Sequence, residues 1–541
     1  MSLSSRALDD FPMKRRSRVA LLVFIALILF ESLSFRTAVA ASLTAQEKRG
    51  KNIYLKGQST TGRAITAVIG AGSASTPAVS LPCVNCHDAD GRGKPEGGVT
   101  PSNIAWEALT KPYGANHPSG RKHPAYTERS VRRAITEGID AGGNKLLAAM
   151  PKYQLTLEEA ADLVAYLRRL GQERDPGLSE DKIRIATILP KSGPSADAAK
   201  AMRDIMAAYA NDINENGGIH NRRIEFTVLE PEQLSAARDY FAIVGSFIAG
   251  FEKDVVAMTQ KDEIPLVGPV TLFPHLSDPL NRYLFYVFSG LNEQARTLAD
   301  FAAAKFKIQN AAVAVIYPEI EPLAGVVKAI EIQGGWHGWR GIKKYPYPAG
   351  RLDAARLVNK AKSDAQQIVF FLGNSDEAGA LAEEAEKASW TPDLFVPGSL
   401  AGADPFGAAR RFQAKMFLSF PVLPTDVTAA GMEELRKLAE KHHLSQRHFA
   451  VQVLGYSAFK ILVEGLKQAG KDLSREKLVT ALEGLYRFET GLTPLITYGP
   501  NRRIGALGSH VVGVNWQQST LVPLSGWIEP KCPSQGDTLA C

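Results

Sequence analysis

Cys83-Val84-Asn85-Cys86-His87 decides how this chain is read. Two thiols three positions apart can add to the two vinyl groups of one haem. The adjacent imidazole then reaches the iron from the proximal side, which is the pattern of covalent c-type attachment. A bare Cys-x-x-Cys would equally serve half a zinc site or a redox dithiol. Zinc needs two further ligands, and the next cysteine is Cys532. A redox dithiol needs a surrounding βαβ pattern, whereas these flanks are rich in Gly, Pro and Ser. The expectation is one haem c, covalently held by Cys83 and Cys86, with His87 on the iron of a chain exported to where haem is attached.

The flanks of the pentapeptide read as helices. Thr44 is placed to cap a helix running to about Tyr54, with Glu47 three residues on as a capping box requires. Gly50 lies inside it and costs about 1 kcal/mol relative to Ala, so it predicts close approach of a second helix. That helix begins near Thr156, carries an apolar stripe (Ala160, Leu163, Val164, Leu167, Leu170) and stops at Gly171. A further helix is expected from Thr127 to about Gly138, with Val131, Ala134 and Ile135 facing the haem.

Three readings of the sixth iron position stand at this level. Met150, followed by Pro151 in a loop, is favoured; after the first 40 residues it is the only Met before Met202. His117 or His123 is the second reading and an open site the third. A Met–His pair raises the potential and closes the iron, which suits electron transfer rather than catalysis.

This block resembles class I cytochrome c domains. The likeness rests on the Gly50/Tyr54 helix, on Cys83–His87, on Met150-Pro151-Lys152-Tyr153 and on the Asp162–Leu170 helix with its Ala-Tyr-Leu-Arg. The resemblance implies an all-α domain over 41–172, with first and last helices crossing beside the haem and His87 and Met150 axial. The stretch Thr61–Leu81 is longer than a minimal domain of this kind needs.

Composition agrees with export. Residues 1–40 read as a signal peptide: the basic cluster Lys14–Arg18, the apolar run Val19–Phe30, then Ala38-Val39-Ala40 before Ala41. The apolar run is short for a membrane span, and the alternative is an uncleaved anchor. Of four cysteines, two form the pair at 83 and 86. Cys532 and Cys541, in the tail 531–541, either close a small disulfide loop in an oxidising compartment or remain free thiols. A net charge of +7, from 63 basic against 56 acidic residues, is too mild to point to nucleic acid. The chain is therefore expected in the periplasm, touching membrane only if the anchor is retained.

After a polar linker at 173–182 the pattern changes. Compact apolar strands at Ile183–Leu189, Arg223–Leu229, Phe241–Val244, Ile264–Val267, Ala311–Ile316, Gln367–Phe371 and Asp393–Val396 alternate with helices. That alternation is the signature of a parallel α/β sheet. Late strands are expected near Leu495–Thr497, His510–Val514 and Thr520–Leu524. The region 183–530 resembles type I periplasmic solute-binding proteins of the branched-chain amino acid kind. The likeness rests on Ile185–Pro190 with Ser192-Gly193-Pro194, on Asp212-Ile213-Asn214 with Gly217-Gly218-Ile219, and on Gly491–Gly508. It implies two Rossmann-like lobes, a hinge and a solute in the cleft. It also shows a departure: the stretch between Leu229 and Phe241 is about a helix short.

Ligands of such sheets bind beyond the carboxyl ends of the strands, where helix N-termini offer N–H groups to a carboxylate. The residues so placed are Ser192, Ser195, Ser246 and Thr271 in the first lobe, and Tyr317, Asn374 and Ser399 in the second. Each has a plain alternative as a cap or turn residue. No Ser/His/Asp set, metal cluster or phosphate loop stands out, so the chain reads as an electron carrier and binding protein rather than an enzyme. The leading reading is an exported cytochrome that serves a periplasmic dehydrogenase or oxidase. Its lobes would recognise a small carboxylate, an amino acid or the partner enzyme. The others are an importer's amino-acid-binding protein with the haem as redox sensor, and a haem peroxidase.

Overall fold

The computed structural model describes residues 43–531, apart from 71–74, 94–97, 118–119, 172–174, 277–279, 307–311, 340, 403–409, 411 and 413–414. Residues 1–40, expected to be an export signal, and Cys532 and Cys541 lie outside the described residues. The chain divides into two compact units between Arg174 and Asp175.

The first unit is built on three well-capped helices. Ala45–Lys56, Glu128–Glu137 and Leu157–Leu167 each open on a reciprocal capping box, formed by Thr44 with Glu47, Thr127 with Ser130 and Thr156 with Glu159. Each box satisfies orphan N–H groups that a helix start otherwise leaves unpaired. Gly50 is where the first and last helices meet. A Cβ there would lie 2.0 Å from the Asp162 carbonyl oxygen, so only glycine admits this approach. Arg49 holds the crossing with two bonds to the Asp162 carboxylate, at 2.7 and 2.9 Å. The Tyr54 and Tyr166 rings meet beside it, 5.6 Å apart.

The long stretch before the cysteine pair folds into a sheet. Thr66–Val68 pairs antiparallel with Ser75–Pro77 on one side and with Lys152–Gln154 on the other. The sequence carries no strong signal for it, since these strands are three residues each and mostly small and polar.

The second unit has two lobes. In the first, and among the described residues, six parallel strands run in the order Ile504–Ala506, Leu284–Phe288, Leu266–Val267, Ala242–Val244, Lys182–Ile188, Arg223–Leu229. In the second, Lys343–Tyr347, Val313–Pro318, Ile368–Phe371, Asp393–Pro397 and Met416–Phe420 are parallel. Ser509–Asn515 and Thr520–Ile528 then extend that sheet antiparallel. Helices cover the faces. Phe449–Ala469, long and apolar enough to cross a membrane, is instead 67% buried and packs in the first lobe's core.

The chain passes between lobes near 289–290, 424–428 and 507–508. Ser289 Oγ donates to Gly508 O at 2.5 Å, and His510 Nε2 lies 2.9 Å from Asp426 Oδ1, so side chains tie these crossings together. In the first lobe the buried Arg475 side chain donates to the carbonyls of Phe241, Asp262, Arg238 and Tyr240. A guanidinium serves here as internal scaffolding for a loop.

One sequence expectation needs correction, and two elements go beyond what the sequence reading named. Between Leu229 and Phe241 the short stretch folds as a 3₁₀ helix, Pro231–Asp239, with Pro231 at its start. Leu495–Thr497 is not a strand; Ile496 makes only an isolated bridge to Phe488. Lys343–Tyr347 is a strand that its two lysines and Pro346 disguise. It lies at the sheet edge, where proline and lysine are tolerated.

Candidate functional site

Cys83 is the residue from which the helical turn Val84–His87 starts, and this turn sets Cys83, Cys86 and His87 on the wall of one cavity. The cavity holds about 500 Å³. Met150 lines it as well, as do Val131, Ala134, Ile135, Leu163 and Leu167 from the two later helices. Residues far apart in sequence thus converge on a largely apolar slot, with two sulfurs, an imidazole and a thioether around it.

His87 is oriented by its own backbone neighbourhood. Its Nδ1 lies 3.0 Å from the Ser102 carbonyl, which fixes the N–H on that side and leaves the Nε2 lone pair for a metal. Burial lowers the His87 pKa, the Ser102 bond partly opposing it, so the ring is held neutral as ligation requires. Sequence reasoning missed Ser102. A backbone carbonyl leaves no residue-type signature.

His117 and His123 also line the cavity, but they are turned on each other. Their Nε2 atoms lie 3.0 Å apart, and His123 Nδ1 sits 2.8 Å from the Pro124 carbonyl. The carbonyl places the His123 proton on Nδ1, so His123 Nε2 accepts from His117. Burial, then Arg121 and His123, hold the His117 pKa below its ordinary range. In this arrangement the pair spends its facing nitrogens internally. Arg121, on the same hairpin, is bound to the buried Asp140 at 2.7 Å.

The residues present fit a c-type haem. The two thiols flank a single turn, the imidazole has a free Nε2, a thioether stands on the same cavity, and the remaining walls are mainly apolar. Among the described residues no cluster of three or more His, Cys, Asp or Glu offers a separate metal site.

Six of the seven candidates of the second unit follow the carboxyl ends of parallel strands; Tyr317, expected just past a strand ending at Ile316, instead lies within the strand Val313–Pro318, paired with Pro346. Most of the seven already have structural partners. Ser246 is fully buried, and its Oγ accepts from Ile188 N at 2.9 Å. Asn374 caps the helix Ser375–Lys387 in a box with Glu377. Ser399 Oγ takes a bond from Gln294 Nε2 at 2.9 Å. Thr271 Oγ1 donates to Glu252 at 3.0 Å and accepts from Phe273 N. Tyr317 is half-buried against the second lobe's core. Ser192 and Ser195 are exposed in the turn before the helix Ala196–Glu215, and Ser195 makes no capping bond.

Comparison with known proteins agrees with both units. The family model described as cytochrome c matches residues 78–171, and the one described as periplasmic binding protein matches 182–509. The Leu/Ile/Val-binding protein BraC3 of Rhizobium johnstonii is 22% identical over 335 residues, 60% of this chain and 89% of that one. A leucine-, isoleucine-, valine-, threonine- and alanine-binding protein of Pseudomonas aeruginosa is 21% identical, over 58% of this chain and 85% of its own length. Among solved structures, a branched chain amino acid ABC transporter protein from Thermus thermophilus with bound valine superposes with a TM-score of 0.51 at 15% identity, covering 65% of this chain and 97% of that one.

Proposed function

The chain belongs to the periplasmic binding protein family and carries a cytochrome c domain ahead of the binding-protein fold, and from that premise we propose that it is an exported single-electron carrier whose lobes recognise a small solute or a partner oxidoreductase. The observation that carries the first half is the convergence of Cys83, Cys86, His87 and Met150 on one cavity. In this reading Cys83 and Cys86 hold one haem covalently, and His87 and Met150 are its axial ligands. The haem, when bound, supplies a one-electron couple. The protein supplies an oriented imidazole, a thioether and apolar walls that exclude water. Were His87 and Met150 both to hold the iron, no position would remain on it for peroxide.

The second half rests on the lobes and on the relatives. Proteins named for binding branched-chain amino acids share this fold, so an aliphatic amino acid or a similar small carboxylate is the solute class proposed here. Both family matches support an exported, periplasmic location, and the electron partner proposed here is a dehydrogenase or oxidase.

The test has two arms. Purified protein should keep its haem through denaturation and acid–organic extraction, and its ferrous form should not bind carbon monoxide readily. Freely extracted haem, or immediate carbon monoxide binding, would refute the carrier reading. A thermal-shift screen of aliphatic amino acids and small carboxylates, followed by redox titration with any hit, tests the lobes. Linkage is reciprocal, so a tenfold affinity difference between oxidised and reduced protein must appear as a shift of about 59 mV in a one-electron couple. A hit without such a shift would mean two independent modules. No hit, with tight binding to a periplasmic dehydrogenase, would make the lobes a docking surface.

A further inference from the structure

We infer that the sheet formed by the stretch before the cysteine pair is a clamp on the Met150 loop, and that it keeps the sixth iron position closed. The inference rests on the axial reading of Met150.

The geometry is two-sided. Ahead of Met150, the backbone N–H of Gly70 donates to Ala148 O at 3.0 Å. Behind it, Thr66, Ala67 and Val68 pair in register with Gln154, Tyr153 and Lys152. One strand and the residue two positions past its end therefore grip both flanks of Met150-Pro151. Met150 N also bonds Leu147 O at 2.9 Å, so the loop itself is a tight turn between the two grips.

The clamp is anchored to rigid parts of the unit. Arg63, just before the first strand, donates to Gln154 O at 2.8 Å and pairs with the Glu159 carboxylate. Glu159 is buried and belongs to the capping box of the last helix. Burial alone would push Glu159 up, but the bonds from Arg63 and from Thr156 N outweigh it and hold the carboxyl at about 2. Thr66 Oγ1 adds a bond to Gln154 Oε1 at 2.9 Å. On the other side, Tyr153 OH donates to Leu81 O at 2.5 Å, two residues before Cys83. The first helix closes the frame: a Cβ at its C-cap, Gly57, would fall 2.1 Å from Ala78 O.

The segment thus ties the thioether loop to both the cysteine turn and the last helix. A thioether is a weak, neutral ligand, and it leaves iron when its loop swings away. Pinning both flanks lowers the population of that open loop, because local opening must break these bonds together. Arg63, Thr66 and Tyr153 are positioning residues here; none need touch the iron.

The test uses the full-length holoprotein. Residues 66–77 are replaced by a short Gly-Ser link, and cyanide association with the ferric form, the reduction potential and covalent haem content are measured. The expected result is normal covalent haem, a more negative potential, and cyanide binding faster by about tenfold or more, the equivalent of about 1.4 kcal/mol in loop opening. Cyanide binding at the parental rate with covalent haem intact overturns the inference. Should the shortened chain not accumulate, the milder Arg63→Gln, Thr66→Val double variant decides. It keeps the strands, must show a smaller but measurable acceleration, and overturns the inference if its rate is parental. Met150→Ala separates the two claims. If it binds cyanide no faster than the parent, the axial reading itself has failed. If it binds fast while the clamp variants do not, the clamp alone has failed.

Discussion

The two units answer the same question, which side chains do the chemistry, in opposite ways. In the first, five consecutive residues name the cofactor, and the structure needs only to bring Met150 and the cavity walls to them. In the second, seven candidates come from the ends of six different strands and the turns that follow them. Four of these side chains already hold a backbone N–H, a helix start or a neighbouring side chain. The difference is chemical. Covalent attachment demands a thiol pair at fixed spacing, and nothing else in a protein demands that spacing with an adjacent histidine. A solute cleft uses hydroxyls and amides, the same groups that caps and turns consume.

The largest effect that would break this contrast comes from the thiols. Cys83→Ala with Cys86→Ala should abolish covalent haem entirely, read by extraction and by the haem stain of the denatured chain. The second unit has its own cores and its own sheets, so its unfolding transition should persist in the variant. Loss of that transition along with the haem would show that the lobes depend on the first unit, and that the two are not separately legible.

The same asymmetry governs what the sequence disclosed. The capping box at Thr44, the helix starts near Thr127 and Thr156, and the packing role of Gly50 were readable because each follows a local rule with a single geometric meaning. The strand–helix alternation of the lobes was readable from apolar runs that are buried on both sheet faces. The sheet at Thr66–Val68 was not, because its three-residue strands carry no periodicity and its partner lies over eighty residues away. Nor was Lys343–Tyr347, whose edge position overrides its polar composition. Ser102 and Arg475 act through backbone carbonyls, which every residue possesses, so their roles become visible only once the fold places them.

A smaller effect sharpens the contrast within the lobes. Ser246→Ala removes the acceptor of a fully buried Ile188 N–H, and an unsatisfied buried donor costs about 1–3 kcal/mol. Chemical denaturation should therefore show a lower midpoint with little change in slope. An unchanged midpoint, combined with weakened binding of a solute found in the screen, would return Ser246 to the cleft and erase its structural assignment.

The smallest expected effect is at Ser195, and it is the most discriminating. Ser195 precedes the twenty-residue helix Ala196–Glu215, where a serine ordinarily caps. Its backbone, at φ −94 and ψ 0, is already in the helical region, and its side chain makes no capping bond. The Ser→Ala change that costs about 1 kcal/mol at a working cap should here leave unfolding within about 0.5 kcal/mol of the parent. The hydroxyl is exposed at the mouth of the first strand, so its loss should instead weaken binding of a carboxylate solute by one hydrogen bond. Paired titrations of the parent and Ser195→Ala, in affinity and in denaturant, separate the outcomes. A stability loss near 1 kcal/mol would make Ser195 a cap in solution and leave Ser192 and Tyr317 as the candidates without an assigned structural bond. Parental stability with parental affinity would make it a solvated turn residue. Parental stability with weakened affinity would give the lobes what the cysteine pair gives the first unit, a side chain whose role is the ligand and not the fold.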